Sequence, residues 1–270
     1  MANEFIKPEY LDKLKEMCLF DDTLMRKAFG ESIDATETLL QIIMDNDKIR
    51  VQNVIGQYDV TNLLGHSARL DVLAKDEHGR YFNVEVQGEN EGATPKRARY
   101  YVGIVDTAHF PVNTNYKKLF DTYVIFITRN DVLGEGRPIY HIHRHIDESG
   151  RYFNDGSHII YVNGELCNKK TALGYLMHDF TCKNPDDMHF DVLKNRVKHF
   201  KETQEGVTTM CKIMDDLKNE GIQQGIQIGM QKTALADIRS LMNNCNWTAK
   251  QAMDALSISL EEQKKYLMLL

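Results

Sequence analysis

Apolar and other residues alternate along Arg69–Gln87, which is the clearest periodic pattern in the chain. A period of two on both sides of a short polar centre is typical of a β-hairpin with one buried face. A three-residue loop over residues 77–79, with Gly79 in the left-handed conformation, places Asp71 directly opposite Glu85. A shift of one residue would place apolar and polar side chains on the same face of the hairpin, so this register is favoured. The pattern therefore predicts a hairpin that holds two carboxylates side by side.

The segments around this hairpin alternate between helical and strand patterns. Residues 34–45 begin with capping-box spacing and continue with apolar residues at helical intervals, which predicts a core helix. A β-like segment follows at 49–55. Thr94-Pro95 combines a cap with a proline at the first helical position and predicts a second helix. The β-branched and aromatic run Tyr123–Thr128 predicts a strand buried on both faces, so the order is α-β-β-β-α-β.

The last quarter of the chain has a helical pattern. Three glycines spaced by four residues within Gly221–Gly229 share one side of a helix. Each costs about 1 kcal/mol relative to alanine, so a close approach to another helix is one interpretation and a flexible linker is the other. Two later capping boxes predict a small helical hairpin. We expect a main domain over residues 1–205 and a helical linker and hairpin over 206–270, with homodimerisation through 206–245 as an option.

Length and composition limit the class of protein. The chain has 270 residues, 42% of them hydrophobic, which suffices for one core domain and an appendage. Its net charge of −6 means that any nucleic-acid surface is local. Without a signal-like start or a membrane-length apolar run, we expect a soluble cytoplasmic protein with no membrane partner. An odd number of cysteines without a C-x-x-C pair indicates reduced thiols. They are Cys18, Cys167, Cys182, Cys211 and Cys245.

Opposed carboxylates repel each other unless a cation lies between them. Oxygen ligands suit Mg²⁺ or Mn²⁺, which retain water molecules and accept phosphate oxygens. Asp71 and Glu85 therefore point to a metal site that cuts phosphodiester bonds. The alternative is an ordinary solvated face, because half-buried strands carry polar residues outward.

Basic residues cluster at the start of the helix predicted after Thr94-Pro95. Lys96, Arg97 and Arg99 lie in its first turns, where positive charge gains nothing from the helix dipole. An anionic partner explains this placement, and a solvated basic face is the alternative.

The run DVLAKDEHGRYFNVEVQ has the form D-x₁₃-E-x-Q and resembles the PD-(D/E)XK nuclease superfamily. More narrowly it is similar to the recombination-promoting nuclease branch, which is often labelled putative transposase. The similarity extends from Phe20 to about Glu220. It implies an α/β, restriction-endonuclease-like mixed sheet flanked by helices, followed by a helical C-terminal extension.

The resemblance implies a Mg²⁺-dependent DNA endonuclease, with Mn²⁺ as a second possible ion. Asp71 and Glu85 match the two metal-binding acids, and the backbone carbonyl of Val86 completes the protein ligands. Gln87 stands where many members of the superfamily carry lysine. A neutral amide can orient a water molecule but cannot deprotonate it, so the general base stays open. Glu37 is either part of a capping box or a further acid that leans toward the metal.

The run RARYY after the Glu-x-Gln strand also resembles this branch, which implies that Arg97 or Arg99, beside Lys96, contacts phosphate. DNA is the substrate that the resemblance implies, although no residue distinguishes it from RNA. The transposase label implies a role in recombination, yet the sequence has no integrase-type acidic triad. The competing hypothesis is a catalytically silent binding protein that keeps the fold and acts through its helical tail.

Overall fold

The computed structural model describes residues 6–60, 66–88, 92–166 and 170–270. Cys167, one of the five cysteines, lies outside these ranges. The described strands are β1 (Val51–Val60), β2 (Ala68–Asp76), β3 (Tyr81–Gln87), β4 (Thr122–Thr128), β5 (Ile139–Ile142) and β6 (Ser157–Asn163). The described α-helices are α1 (Pro8–Glu16), α2 (Asp22–Phe29), α3 (Ile33–Ile43), α4 (Pro95–His109), α5 (Ala172–Thr181), α6 (Asp191–Glu202), α7 (Gln204–Cys245), α8 (Ala249–Ala255) and α9 (Leu260–Leu267).

The strands form one mixed sheet in the order β1-β2-β3-β4-β6-β5. The β1–β2 and β2–β3 pairs are antiparallel, β3–β4 and β4–β6 are parallel, and β5 is antiparallel to β6. Two antiparallel hairpins thus lead into a parallel section through the crossover helix α4. The predicted α-β-β-β-α-β order and the restriction-endonuclease-like fold class are confirmed.

The β2–β3 hairpin has the predicted register. Val72 pairs with Val84, and the Asp76 N–H donates to the Arg80 carbonyl at 3.1 Å. Gly79 has φ +79°, the left-handed conformation that the three-residue loop requires. Continued by one residue, this register sets position 71 opposite position 85.

The polar side of the hairpin is buried rather than solvated, because the sheet is covered there by α4. Register partners in neighbouring strands project to the same face, so Glu85 shares its face with Phe126 of β4 and Tyr161 of β6. α4 packs against β3, β4 and β6, and Tyr101 of α4 stacks on Phe126 with ring centroids 6.3 Å apart. The carboxylates therefore lie at the edge of a hydrophobic layer.

One helix boundary differs from the sequence prediction. α3 begins at Ile33, and its cap is Ser32, whose Oγ accepts the Ala35 N–H at 3.3 Å. Ser32 precedes the helix and has an extended backbone, so its hydroxyl can accept an N–H group of the first helical turn. Asp34 lies inside that turn and cannot act as the cap.

The C-terminal residues group into a second compact unit, Lys212–Leu270, whereas the first unit ends at Cys211. The second unit has its own small core of Ile238, Ala252 and Met253. The Thr248–Gln251 capping box is present with both of its hydrogen bonds. Among the described residues, no helix combines the length and the hydropathy needed to cross a bilayer.

The glycine stripe of α7 lies exposed within the single chain. A Cβ placed on Gly221, Gly225 or Gly229 would meet nothing within 4 Å. Ile226 and Met230, on the neighbouring helical row, are exposed. Homodimerisation through residues 206–245 therefore stays a prediction.

Gly30 lies at the crossing of α2 with β1, and its replacement tests this packing. A Cβ on Gly30 would lie 2.5 Å from the Cα of Gly56 and 2.6 Å from the carbonyl oxygen of Arg26. Because both neighbours are backbone, we expect Gly30→Ala to lower the free energy of unfolding by about 1–3 kcal/mol, as overpacking does. Gly103→Ala, in open space on the exposed side of α4, should instead stabilise by up to about 1 kcal/mol. Urea unfolding measures both, and a Gly30→Ala variant as stable as the wild type would contradict the crossing.

Candidate metal centre

Asp71 and Glu85 meet where the regular pairing of β2 with β3 ends. That pairing runs from Lys75–Tyr81 to Val72–Val84. Beyond this pairing, the two carboxylates accept hydrogen bonds from backbone N–H groups. The Asp71 N–H donates to Glu85 Oε1 at 3.3 Å, and the Val86 N–H donates to Asp71 Oδ2 at 3.3 Å. The two side chains are thus held side by side by the ends of both strands.

Burial makes this acid pair electrostatically unfavourable. Asp71 is 7% exposed and Glu85 is fully buried. Burial, followed by the charge of Asp22, raises the pKa of Asp71. Burial, followed by the charge of Asp71, raises the pKa of Glu85. Two negative charges at this position therefore require a compensating positive charge.

Two arginines supply positive charge in the folded chain, one to each acid. Arg26 of α2 places its Nε 3.4 Å from Asp71 Oδ1 and also pairs with Asp22. Arg97 of α4 places its Nη2 3.3 Å from Glu85 Oε2. The sequence alone does not single out Arg26. The only signal was the i, i+4 spacing of Asp22 and Arg26 on a helix, which is common on surfaces.

Arg97 is held by contacts on three sides. Its Nε donates to the Tyr101 hydroxyl at 2.7 Å, and its Nη1 donates to the Gly92 carbonyl at 2.9 Å. Its guanidinium lies 4.9 Å from the centre of the Tyr101 ring. The Arg97 side chain nevertheless remains 34% exposed. It therefore covers Glu85 and faces solvent at the same time.

Val86 and Gln87 continue β3 past the acid pair. The Gln87 carbonyl accepts the Arg129 N–H at 3.0 Å, so the backbone of Gln87 points toward the β4 side. The backbone of Val86 points the opposite way, since its N–H donates to Asp71. The N–H and carbonyl of one residue in an extended strand point to the same side, so the Val86 carbonyl faces the β2 side. The side-chain oxygen of Gln87 lies where a Cβ on Gly92 would overlap it, at 1.7 Å.

Glu37 is not part of the acid pair. Its Oε2 accepts the Val51 N–H at 2.9 Å, and its Oε1 lies 3.7 Å from Arg50 Nη1. Val51 pairs with Asp76, five residues along β2 from the acid pair, or about 16 Å at strand spacing. The expectation that Glu37 leans toward the metal is therefore wrong, because β1 uses its carboxylate to satisfy the first N–H of the strand.

Lys96 and Arg99 are exposed on the first turns of α4. Thr94 caps this helix as predicted, because its Oγ1 accepts the Arg97 N–H at 3.3 Å. Of the three predicted phosphate contacts, the described contacts bring only Arg97 to the acid pair.

Asn83 is a buried polar residue that the sequence alone does not single out. It lies on the same face as Glu85, two residues earlier in β3, and is fully buried. Within the described residues, neither of its side-chain amide atoms has a hydrogen-bond partner. The alternation along the hairpin places Asn83 on the polar face, but nothing in that pattern indicates that this face is covered.

Comparison with known families agrees with this geometry. A family model described as PD-(D/E)XK nuclease family transposase matches residues 21–192, which is more than half of the chain. The matched region includes the hairpin, both arginines and all six strands of the sheet. Searches against curated proteins and against solved structures gave no match.

Proposed function

Since the chain belongs to the PD-(D/E)XK nuclease family transposases, we propose that it is an endonuclease that uses a divalent cation to hydrolyse phosphodiester bonds in DNA. The observation that carries this proposal is the pair of buried carboxylates, Asp71 and Glu85, at the open end of the β2–β3 hairpin. Structural acids in a sheet are normally exposed or fully matched by partners. This pair has arginine partners, yet burial still raises both pKa values, and the guanidinium beside Glu85 is partly exposed.

The donor set fits Mg²⁺. Asp71 and Glu85 provide carboxylate oxygens, and the Val86 carbonyl faces the same side as Asp71, which gives an all-oxygen set. Mn²⁺ prefers the same ligands. A bound divalent cation would neutralise the pair, lower the pKa of a water molecule and stabilise negative charge on the phosphate.

The remaining residues act through their own hydrogen bonds. Gln87 follows Glu85 on the same face and offers an amide that orients the attacking water. Arg97 compensates the negative charge of Glu85 in the metal-free chain. When a bound cation compensates that charge instead, the Arg97 guanidinium binds a phosphate oxygen. Lys96 and Arg99, exposed on the same helix, contribute contacts to the phosphate backbone that are independent of base sequence.

Supercoiled plasmid incubated with purified protein and Mg²⁺ tests this proposal. We expect conversion to the nicked form, which EDTA abolishes and Mn²⁺ restores. A structured RNA in a parallel reaction should remain intact if DNA is the substrate. Protein that leaves both polymers intact at every metal concentration would contradict the proposal.

A substitution at Gly92 tests the positions of Gln87 and Arg97 without changing the acid pair itself. A Cβ there would overlap the Gln87 side-chain oxygen and lie 3.0 Å from Arg97 Nη1. We expect Gly92→Ala to lower kcat for plasmid nicking by about 10-fold to 100-fold, as a small misplacement of a positioning group does. Mg²⁺ affinity should change little, because both carboxylates keep their backbone donors. Unchanged nicking by Gly92→Ala would show that Gln87 and Arg97 do not act in the reaction.

One observation favours a second candidate function, a catalytically silent binding protein. Glu85 is fully buried and each acid already has an arginine partner, so the pair has a compensated state without metal. In that case Mg²⁺ would not bind with measurable heat, and replacing Glu85 would change only stability. Calorimetry of the full chain separates the two candidates.

A further inference from the structure

Three side chains of types that ligate metals come together at the C-terminal end of α5. In the sequence they are far from the acid pair. They are His178, Asp179 and Cys182, and their ligand atoms all lie within 4.8 Å of one another. His178 Nδ1 lies 3.4 Å from Cys182 Sγ and 3.6 Å from Asp179 Oδ1. The proposed nuclease reaction uses none of these side chains.

Two of these separations, from His178 Nδ1 to Cys182 Sγ and to Asp179 Oδ1, lie in the range found between neighbouring ligands of a tetrahedral zinc ion. With Zn–N near 2.0 Å, Zn–O near 2.1 Å and Zn–S near 2.3 Å, neighbouring ligand atoms lie about 3.4–3.6 Å apart. A nitrogen, a sulfur and a carboxylate oxygen favour Zn²⁺ or a similar transition metal over Mg²⁺. We propose that His178, Asp179 and Cys182 bind such an ion. The ring of His189 borders this group, with its centroid 4.7 Å from that of His178.

The surrounding structure fixes one of the three side chains and brings the other two to the same end of α5. His178 and Cys182 are four residues apart, so they lie on one face at the end of α5. The Asp179 carboxylate is buried and fixed, since Oδ1 accepts the His189 N–H at 2.8 Å and Oδ2 accepts the Phe190 N–H at 2.9 Å. Outer hydrogen bonds of this kind orient metal ligands.

The same bonds explain why no α-helix follows directly from Asn184-Pro185, a pair that combines a cap residue with a proline suited to the first helical position. Asn184 caps only a short 3₁₀ turn over Pro185–Asp187, and the α-helix begins at Asp191. Asp179 holds the intervening backbone in an extended form through the N–H groups of residues 189 and 190. Through Asp179, an ion at this place would couple α5 to the segment that leads into α6.

This position gives the ion a structural role. α6 contacts the end of α2, because Arg196 donates to the carbonyls of Lys27 at 2.8 Å and Ala28 at 3.3 Å. α2 also carries Arg26, the partner of Asp71. A metal that fixes α5 against the start of α6 stabilises the helices that position Arg26.

Cobalt titration of the metal-free full-length protein tests the proposal. Co²⁺ bound to a cysteine thiolate gives an intense charge-transfer band in the near ultraviolet, which an all-oxygen site cannot give. We expect one equivalent of Co²⁺ to produce this band and Zn²⁺ to displace it. Cys182→Ser should abolish the band, whereas Cys245→Ser, at an exposed cysteine of α7, should keep it. His178→Ala should weaken Co²⁺ binding by at least about 10-fold.

The readout is independent of the nuclease proposal, since Asp71→Asn should leave the cobalt band unchanged. No band in the wild-type protein would overturn the inference and would assign the His178–Cys182 contact to a hydrogen bond. A band of equal intensity in Cys182→Ser would overturn it as well. Circular dichroism of each variant shows that a lost band does not come from unfolding.

Discussion

Replacing Glu85 with glutamine is expected to lower Mg²⁺-dependent DNA cleavage by about 10³-fold or more, because Lewis-acid stabilisation worth several kcal/mol is lost with the metal. The same variant should be at least as stable as the wild type in metal-free buffer near pH 8. Burial raises the pKa of Glu85, so its ionised form costs free energy that an amide of equal size does not. Loss of activity without loss of stability distinguishes a functional acid from a structural one.

Glu77→Gln is the matched control for this experiment. It makes the same chemical change in the same hairpin, but Glu77 lies exposed in the turn. Plasmid nicking and thermal unfolding are measured for both variants under identical conditions. Nicking by Glu85→Gln at the rate of Glu77→Gln would place the chemistry elsewhere or reveal a contaminating nuclease.

Mg²⁺ affinity should rise steeply with pH, approaching a hundredfold per pH unit when two protons are displaced. Metal binding requires both carboxylates to be ionised, and burial raises the pKa of Asp71 and of Glu85 in the metal-free chain. Below those raised pKa values the cation competes with bound protons. Above them, the affinity should level off.

The metal-free protein should show the opposite trend in stability. A carboxyl with a raised pKa in the folded state binds more protons there than in the unfolded chain, whose carboxyl pKa values lie near 4. The contribution of the acid pair therefore falls as pH rises from about 5 to about 8. Thermal unfolding across this range should show the melting temperature of wild type falling more than that of Glu85→Gln. Saturating Mg²⁺ should reverse the difference, and an identical pH dependence in both proteins would contradict the assignment.

The hairpin was predictable from sequence because its information is local. Alternation over Arg69–Gln87 and the glycine at position 79 determine the register, and the register determines that Asp71 opposes Glu85. The crossover helix and the strand predicted over Tyr123–Thr128 were equally clear. Each prediction depended on residues close together in the chain.

The partners of the acids were not predictable in the same way. Arg26 is 45 positions from Asp71 in the sequence, and it reaches the pair only because α2 packs beside β2. The burial of the polar face also depends on α4, which alternation within the hairpin does not report. The prediction that Glu37 leans toward the metal fails for a related reason, because its carboxylate accepts the N–H of Val51, the first residue of β1.

Calorimetric titration of Mg²⁺ into the metal-free full-length protein tests the central claim most directly. We predict a single Mg²⁺ site in the wild type, with an observed binding heat that depends on the buffer because protons are released, and no binding heat in Asp71→Asn or Glu85→Gln. Wild-type protein without Mg²⁺ binding, or acid variants that bind Mg²⁺ as tightly as the wild type, would contradict the claim that these two carboxylates hold the ion.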